Sequence, residues 1–508
     1  MRYERSAGIL LHPTSLPGGH GIGELGPDAF RFVDFLESSG QRFWQVLPLG
    51  PTGYGDSPYQ CLSAFAGNHS LISVDVLLEE GLLSSGDLSA GADRDPRMID
   101  YGTLIPYKMS LLRKAFSRHR ARPGAKLAED IVRFERANRD WLGNYALFMS
   151  LKERHGGASW SEWEKDAALQ RQAALASLRK ELADEIALHA FLQFLFFRQW
   201  KKLKQYANNK GIRIIGDLPI FIAYDSADAW AERELFSIDP GGKLLSVAGV
   251  PPDYFSSTGQ RWGNPLYRWS TMAEDDYLWW RKRIARMLEL VDVIRIDHFR
   301  GFDAAWEIPA AAPTAETGAW VKGPGKKFFR TLQKHLGELP IIAEDLGVIT
   351  RSVVDLRDTF GFPGMKILQF AFGSGMERKF LPHNYPRNCV VYTGSHDNDT
   401  TRGFFAKAKL EMSDVYSSAE RYLGCEGGDI SFNLIRAAYA SIADVVIIPM
   451  QDILGLEDAA RMNFPGTFGG NWSWRFTWDQ AQQPIVRTYK ELTELYDRPP
   501  KAEPPTVD

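Results

Sequence analysis

Cysteine is scarce in this chain. Three in 508 residues (Cys61, Cys389 and Cys425) are too few and too scattered for a disulfide framework or a zinc cluster, which points to a reducing compartment. An excess of one charge is missing too. The 60 basic and 63 acidic residues leave a net charge of −3, so there is no footprint for nucleic acid and no polybasic signal for a membrane surface; a neutral partner fits best. No apolar run reaches the ~18 residues that read as a transmembrane helix, and the opening Met1–Ser6 leads into an apolar run of only a few residues. A soluble, cytoplasmic protein is therefore expected. There are no internal repeats and no low-complexity blocks. Aromatic residues, in contrast, are plentiful at 12%, with 15 Trp, and flat rings suit the apolar faces of sugars.

Eight short apolar runs, each closed by a polar or Gly/Pro turn, alternate with helical stretches: Gly8–Leu11, Phe43–Leu47, Ile212–Gly216, Val291–Ile296, Pro340–Ala343, Lys366–Phe370, Cys389–Tyr392 and Val445–Pro449. This pattern predicts an α/β fold, a parallel (β/α)8 TIM barrel spanning 1–508 as one catalytic domain, with its active site at the carboxyl ends of the strands. The span between the second and third runs exceeds an ordinary barrel connection, so 52–210 is expected to be a largely helical insertion. Phe134, Trp141, Tyr145 and Phe148 fit one helix face there and read as core packing. A second insertion, 220–280, is rich in Gly, Pro and aromatics and reads as loops at the barrel mouth. The tail 497–508, with four prolines, is expected to be frayed or extended. Gly21–Gly26 fits G-x-G-x-x-G, but its first glycine comes ten residues after Leu11 and the second strand ends without a ribose-binding acid, which argues against a dinucleotide site.

The chemistry concentrates at strand ends. In Val293–Asp297, strand alternation puts Val293, Arg295 and Asp297 on one face. The guanidinium is expected to lower the Asp297 pKa, suiting a nucleophile or an electrostatic stabiliser; a buried structural ion pair is the alternative. Glu344 ends Ile341–Ala343, His396 and Asp397 follow Val390–Tyr392, and Asp217 follows Ile214–Gly216. Such carboxylates converging on one barrel face match glycoside chemistry, which needs one ionised group to attack the anomeric carbon and one protonated group to donate to the leaving oxygen. Asp297 fits the anion and Glu344, behind an apolar run, the acid. His298, Glu344, His396, Asp397 and Asp399 are also metal-ligand types, but no H-x-H or H-E-x-x-H spacing supports a metal, and none is expected.

At this point the chain resembles the amylomaltases, 4-α-glucanotransferases of glycoside hydrolase family 77, which are related to α-amylases. The resemblance rests on His12–Pro17, Ser57–Gln60 with Ser63–Asn68, Gly216–Ile220, Gly259–Pro265, Arg295–Gly301, Ala343–Gly347, Ser395–Thr400, and Pro465–Thr467 leading to Gly470–Arg475. Cys61 stands where a Ser is expected. The resemblance implies Asp297 as nucleophile, Glu344 as general acid/base and Asp397 as transition-state stabiliser. It implies substrate binding by Tyr59, Asp217, Tyr254, Phe255, Trp262, Arg295, His298, His396 and Asn463. Arg295 would orient the nucleophile, Tyr59 would stack on the sugar before the cleaved bond, and Trp262 and Asn463 would line the acceptor and donor grooves. It further implies a barrel without a C-terminal β-sandwich, no cofactor, maltooligosaccharides or starch- or glycogen-derived α-1,4-glucans as partners, and a monomer or homodimer. Rival readings are an α-glucan hydrolase with the same carboxylates, a metal-dependent barrel hydrolase, and a non-catalytic glucan-binding protein.

Overall fold

The structure, a computed structural model, describes residues 3–88, 95–122, 124–252, 256–372, 378–467 and 469–499. Its strands are β1 (Ser6–Leu10), β2 (Phe43–Gln45), β3 (Arg213–Pro219), β4 (Ser246–Val250), β5 (Gln260–Pro265), β6 (Val293–Asp297), β7 (Ala304–Pro309), β8 (Ala319–Lys322), β9 (Ile341–Ala343), β10 (Gly364–Ile367), β11 (Cys389–Tyr392) and β12 (Val445–Pro449). Eight of them close into a parallel barrel in the order β1-β2-β3-β6-β9-β10-β11-β12. These are the eight apolar runs of the sequence. A barrel strand is covered by the lumen on one side and helices on the other, so it reads as a continuous apolar run; every residue of β1, β11 and β12 is buried.

The remaining strands form an antiparallel sheet in the order β5-β4-β7-β8. The 220–280 segment, expected to be loops, thus contributes β4 and β5, and also the helices Ala227–Ala231 and Trp269–Glu274. The 52–210 segment carries the helices Tyr101–Ala121, Ala125–Ala137, Leu142–Arg154 and Ala183–Asn209. Phe134 and Trp141 do not share a helix as the spacing predicted. The first helix ends at Ala137, and Trp141, with ψ −36° but φ −130°, caps the next. The packing role holds: Trp141, Tyr145 and Phe148 are buried. The helix Ala183–Asn209 runs into the outer ring, where Trp200 Nε1 donates to Leu290 O at 2.7 Å and Tyr206 Oη to Asp34 Oδ1 at 2.7 Å.

Beyond β12 the described residues form only helices and loops, with no sandwich. Of the tail, 497–499 is described and anchored rather than frayed. The fully buried Arg498 guanidinium donates to the carbonyls of Tyr439, Ser6, Asp444, Ser441 and Ala443, sealing the amino-terminal end of the barrel. The Gly21–Gly26 segment is a packing device. A Cβ on Gly23 would lie 2.0 Å from Pro13 O, and one on Gly26 would lie 2.3 Å from Ser73 Oγ. Among the described residues no helix is long and apolar enough to cross a membrane.

Candidate active site

Register places the first pair. Arg295 on β6 is opposite Asp217 on β3, and its guanidinium holds Asp217 Oδ2 at 2.5 Å and Asp297 Oδ1 at 3.1 Å. Asp217 is fully buried, while Asp297 keeps 31% of its side chain exposed. Asp217 Oδ2 also accepts from Tyr59 Oη at 2.8 Å, and Asp217 Oδ1 has no partner. The expected lowering of the Asp297 pKa is not what the site produces. Burial, with Asp217 and Asp397 nearby, outweighs Arg295 and His396 and raises it to about 6. A group raised that far is still largely ionised at neutral pH.

Glu344 follows β9 and is tied to the end of β6, which carries Asp297. Its Oε2 accepts the His298 N–H at 2.7 Å and its Oε1 the Leu346 N–H at 2.8 Å. His298 makes the first bond by adopting a left-handed conformation (φ 52°, ψ 49°), which costs a non-glycine residue about 1–2 kcal/mol. Burial and the neighbouring Asp297 charge raise the Glu344 pKa to about 8, against the opposing pull of Arg295 and the two amides. Of the two carboxyl groups, Glu344 therefore holds its proton to higher pH. The His298 imidazole is kept neutral by burial and by Arg300. It meets Trp262 edge-on at 4.8 Å.

The third carboxylate closes the ring of groups. Asp397 Oδ2 lies 3.4 Å from His396 Nε2, and Asp397 Oδ1 accepts from Asn463 Nδ2 at 2.6 Å. The His396 imidazole stacks on Tyr59 (centroids 4.9 Å, 16° between planes), and Trp472 abuts both rings at 5.8 and 5.9 Å. Burial and Asp217 raise the Tyr59 phenol well above its ordinary value, so it stays a donor. Two residues that the sequence reading passed over complete the support. Arg461 donates to the Asp397 carbonyl at 2.6 Å and to the Asn463 carbonyl at 2.8 Å, and Trp472 has a left-handed backbone (φ 62°). Both lie within or beside segments already singled out, but nothing in spacing reveals what they touch.

Tyr59, Asp217, Arg295, Asp297, Glu344, His396, Asp397 and Asn463 thus gather at the carboxyl ends of the barrel strands, with Trp262 over His298. Tyr254 and Phe255 lie outside the described residues. Cys61 is packed away, donating to Pro58 O at 2.8 Å. Among the described residues the only His/Asp/Glu group close enough to share an ion is His20, Glu24 and Asp75, away from these carboxylates, and there Glu24 already pairs with the buried Lys108.

A family model described as 4-alpha-glucanotransferase matches residues 11–481. The chain is 50% identical to a 4-alpha-glucanotransferase of Synechocystis sp. over 97% of its length and 98% of that protein. It is equally identical to one of Thermus thermophilus over 94% of this chain and 95% of the other. Among solved structures, an amylomaltase from Streptococcus agalactiae in complex with acarbose superimposes with a TM-score of 0.94 at 40% identity, covering 98% of this chain and all of that one.

Proposed function

The chain belongs to the 4-alpha-glucanotransferases of glycoside hydrolase family 77, and from that premise we propose which of its side chains carry the reaction. It is an enzyme that moves a segment of an α-1,4-glucan to the 4-hydroxyl of another glucan or of glucose. Asp297 attacks the anomeric carbon while Glu344 gives its proton to the departing glycosidic oxygen, leaving a β-linked glycosyl ester on Asp297 and a free 4-hydroxyl on the leaving chain. Glu344, now a carboxylate, takes the proton of an incoming 4-hydroxyl, whose oxygen displaces Asp297 and restores the α configuration. Asp397, held by Asn463 and Arg461, stabilises the oxocarbenium-like charge between these steps. Arg295 fixes Asp297 and balances its charge.

The observation that carries the assignment is the division of the two carboxyl groups by environment. Burial and the Asp297 charge push Glu344 up, while Asp297 faces the Arg295 guanidinium directly at 3.1 Å, so of the pair Glu344 holds the proton and Asp297 is the anion. Water is the more abundant acceptor, so transfer depends on holding a sugar hydroxyl in place while excluding water; Trp262 above His298 is suited to that task. The proposal includes maltooligosaccharides and starch- or glycogen-derived glucans as substrates, a cytoplasmic setting consistent with three free cysteines, and a monomer or homodimer. Pure maltotriose is the test. Glucose and a ladder of longer maltodextrins should form with almost no rise in total reducing ends. Steadily rising reducing ends, with nothing longer than the substrate, would make the enzyme a hydrolase.

A further inference from the structure

The outermost strand of the antiparallel sheet carries a large aromatic ring in the open. Trp320 is 41% exposed, and all of β8 is exposed with it. The indole is nevertheless held. The Arg300 guanidinium lies 3.7 Å from its ring centroid. Trp306, its partner in the β7–β8 register, meets it at 5.3 Å and 64°. Trp306 is itself fixed: its Nε1 donates to Ala315 O at 2.9 Å, and Gly318 passes so close that a Cβ there would lie 2.6 Å from the Trp306 ring. A flat apolar ring already fixed in position binds a flat apolar partner at little further entropic cost.

Its connections run to the catalytic groups. Arg300 is three residues beyond Asp297, and its Nη1 donates to the carbonyl of Val348, four residues beyond Glu344 and 61% exposed. The base of β8 is joined to the turn after β6 by Gly323 N–H to Asp303 O at 2.7 Å. The ring is thus continuous, through Arg300, with the loop that follows the acid/base, the group that meets the leaving and incoming oxygens.

We propose that Trp320, backed by Arg300, is a stacking platform for a neutral α-1,4-glucan, holding the acceptor chain beyond the sugar whose 4-hydroxyl meets Glu344. A sugar ring can offer its apolar face to the indole while its hydroxyls stay hydrated. The inference rests on the transferase reading above, whose failure shows first, in the wild type, as an absence of products longer than maltotriose. The test supplies α-maltotriosyl fluoride as donor and either glucose or maltoheptaose as acceptor, and measures kcat/KM for each acceptor in the wild type, W320A and W320F. For W320A the ratio of maltoheptaose to glucose should fall about fivefold, as expected for the loss of one stacking contact. W320F, which keeps a ring, should hold the ratio within about twofold of the wild type. An equal fall with both acceptors would overturn the platform and leave Trp320 a support for Arg300 and the Glu344 loop. An unchanged ratio would overturn it too, and an unchanged ratio with loss of a dimer in light scattering would make β8 a contact between copies.

Discussion

Asp217 touches the guanidinium that Asp297 also uses, so replacing it by Asn tests the electrostatics of the proposed nucleophile directly. In the wild type, kcat/KM should fall below about pH 6 as Asp297 takes up a proton and above about pH 8 as Glu344 loses one. Asp217→Asn removes a negative charge that pushes the Asp297 pKa up and leaves Arg295 with one carboxylate instead of two. Both effects favour the Asp297 anion, so the acid limb should move to lower pH. Two unit charges about 5 Å apart at an effective dielectric of about 20 repel by ~3 kcal/mol, equivalent to about two pH units. Solvent at the partly exposed Asp297 should reduce the shift to about one unit. The alkaline limb should move less, because Asp217 is not among the main influences on Glu344. The assay is initial glucose release from maltotriose between pH 4.5 and 9. Overall activity will drop, since Tyr59 loses an ionised partner, but the position of the limb is independent of that. An acid limb that stays in place, or moves up, would refute this account of the nucleophile.

Three further outcomes are expected. Glu344 binds its proton more tightly folded than unfolded, so the wild type should lose stability as pH rises from about 4.5 to 8; E344Q lacks that loss, and its stability advantage in denaturant unfolding should widen by about 1–3 kcal/mol between pH 5 and pH 9. Arg461→Met should lower kcat about tenfold with little change in KM for maltotriose, since the lost bonds hold the Asp397 and Asn463 backbone rather than the ground-state sugar; a rise in KM alone would place Arg461 in substrate binding instead. Trp262→Ala should lower the ratio of transfer to hydrolysis, read from product lengths against new reducing ends, and an unchanged ratio would remove the shielding role given to that ring.

The barrel was legible because each of its strands is buried on both faces and so shows as an apolar run. The antiparallel sheet was not. β8 reads Ala319–Trp320–Val321–Lys322 with every residue exposed, and β5 carries Gly263 and Pro265, so neither alternation nor an apolar run marks them. The helix break near Asn138 was hidden because aromatic spacing persists across it. At the site, residue types and strand-end positions identified Asp297, Glu344 and Asp397 as candidates. The sign of the Asp297 shift was out of reach, because Arg295 is its neighbour in sequence while the opposing burial and the Asp217 charge come from the fold. Arg461 escaped for a similar reason: it acts through backbone carbonyls, which leave no pattern in side-chain types.

The two amides on Glu344 have a consequence for direction. Each carboxyl oxygen has two lone pairs, and one on each is already occupied, by His298 N–H on Oε2 and Leu346 N–H on Oε1. An exchangeable proton can reside only at a remaining position, so it leaves along an orientation set by the backbone rather than by side-chain rotation. A glycosidic oxygen approaching from elsewhere would find a good acid facing the wrong way. Because one of those amides belongs to the residue after Asp297, the proposed reaction has its line of proton delivery and its line of nucleophilic attack fixed to the same peptide, and a substrate correctly placed for one is placed for the other.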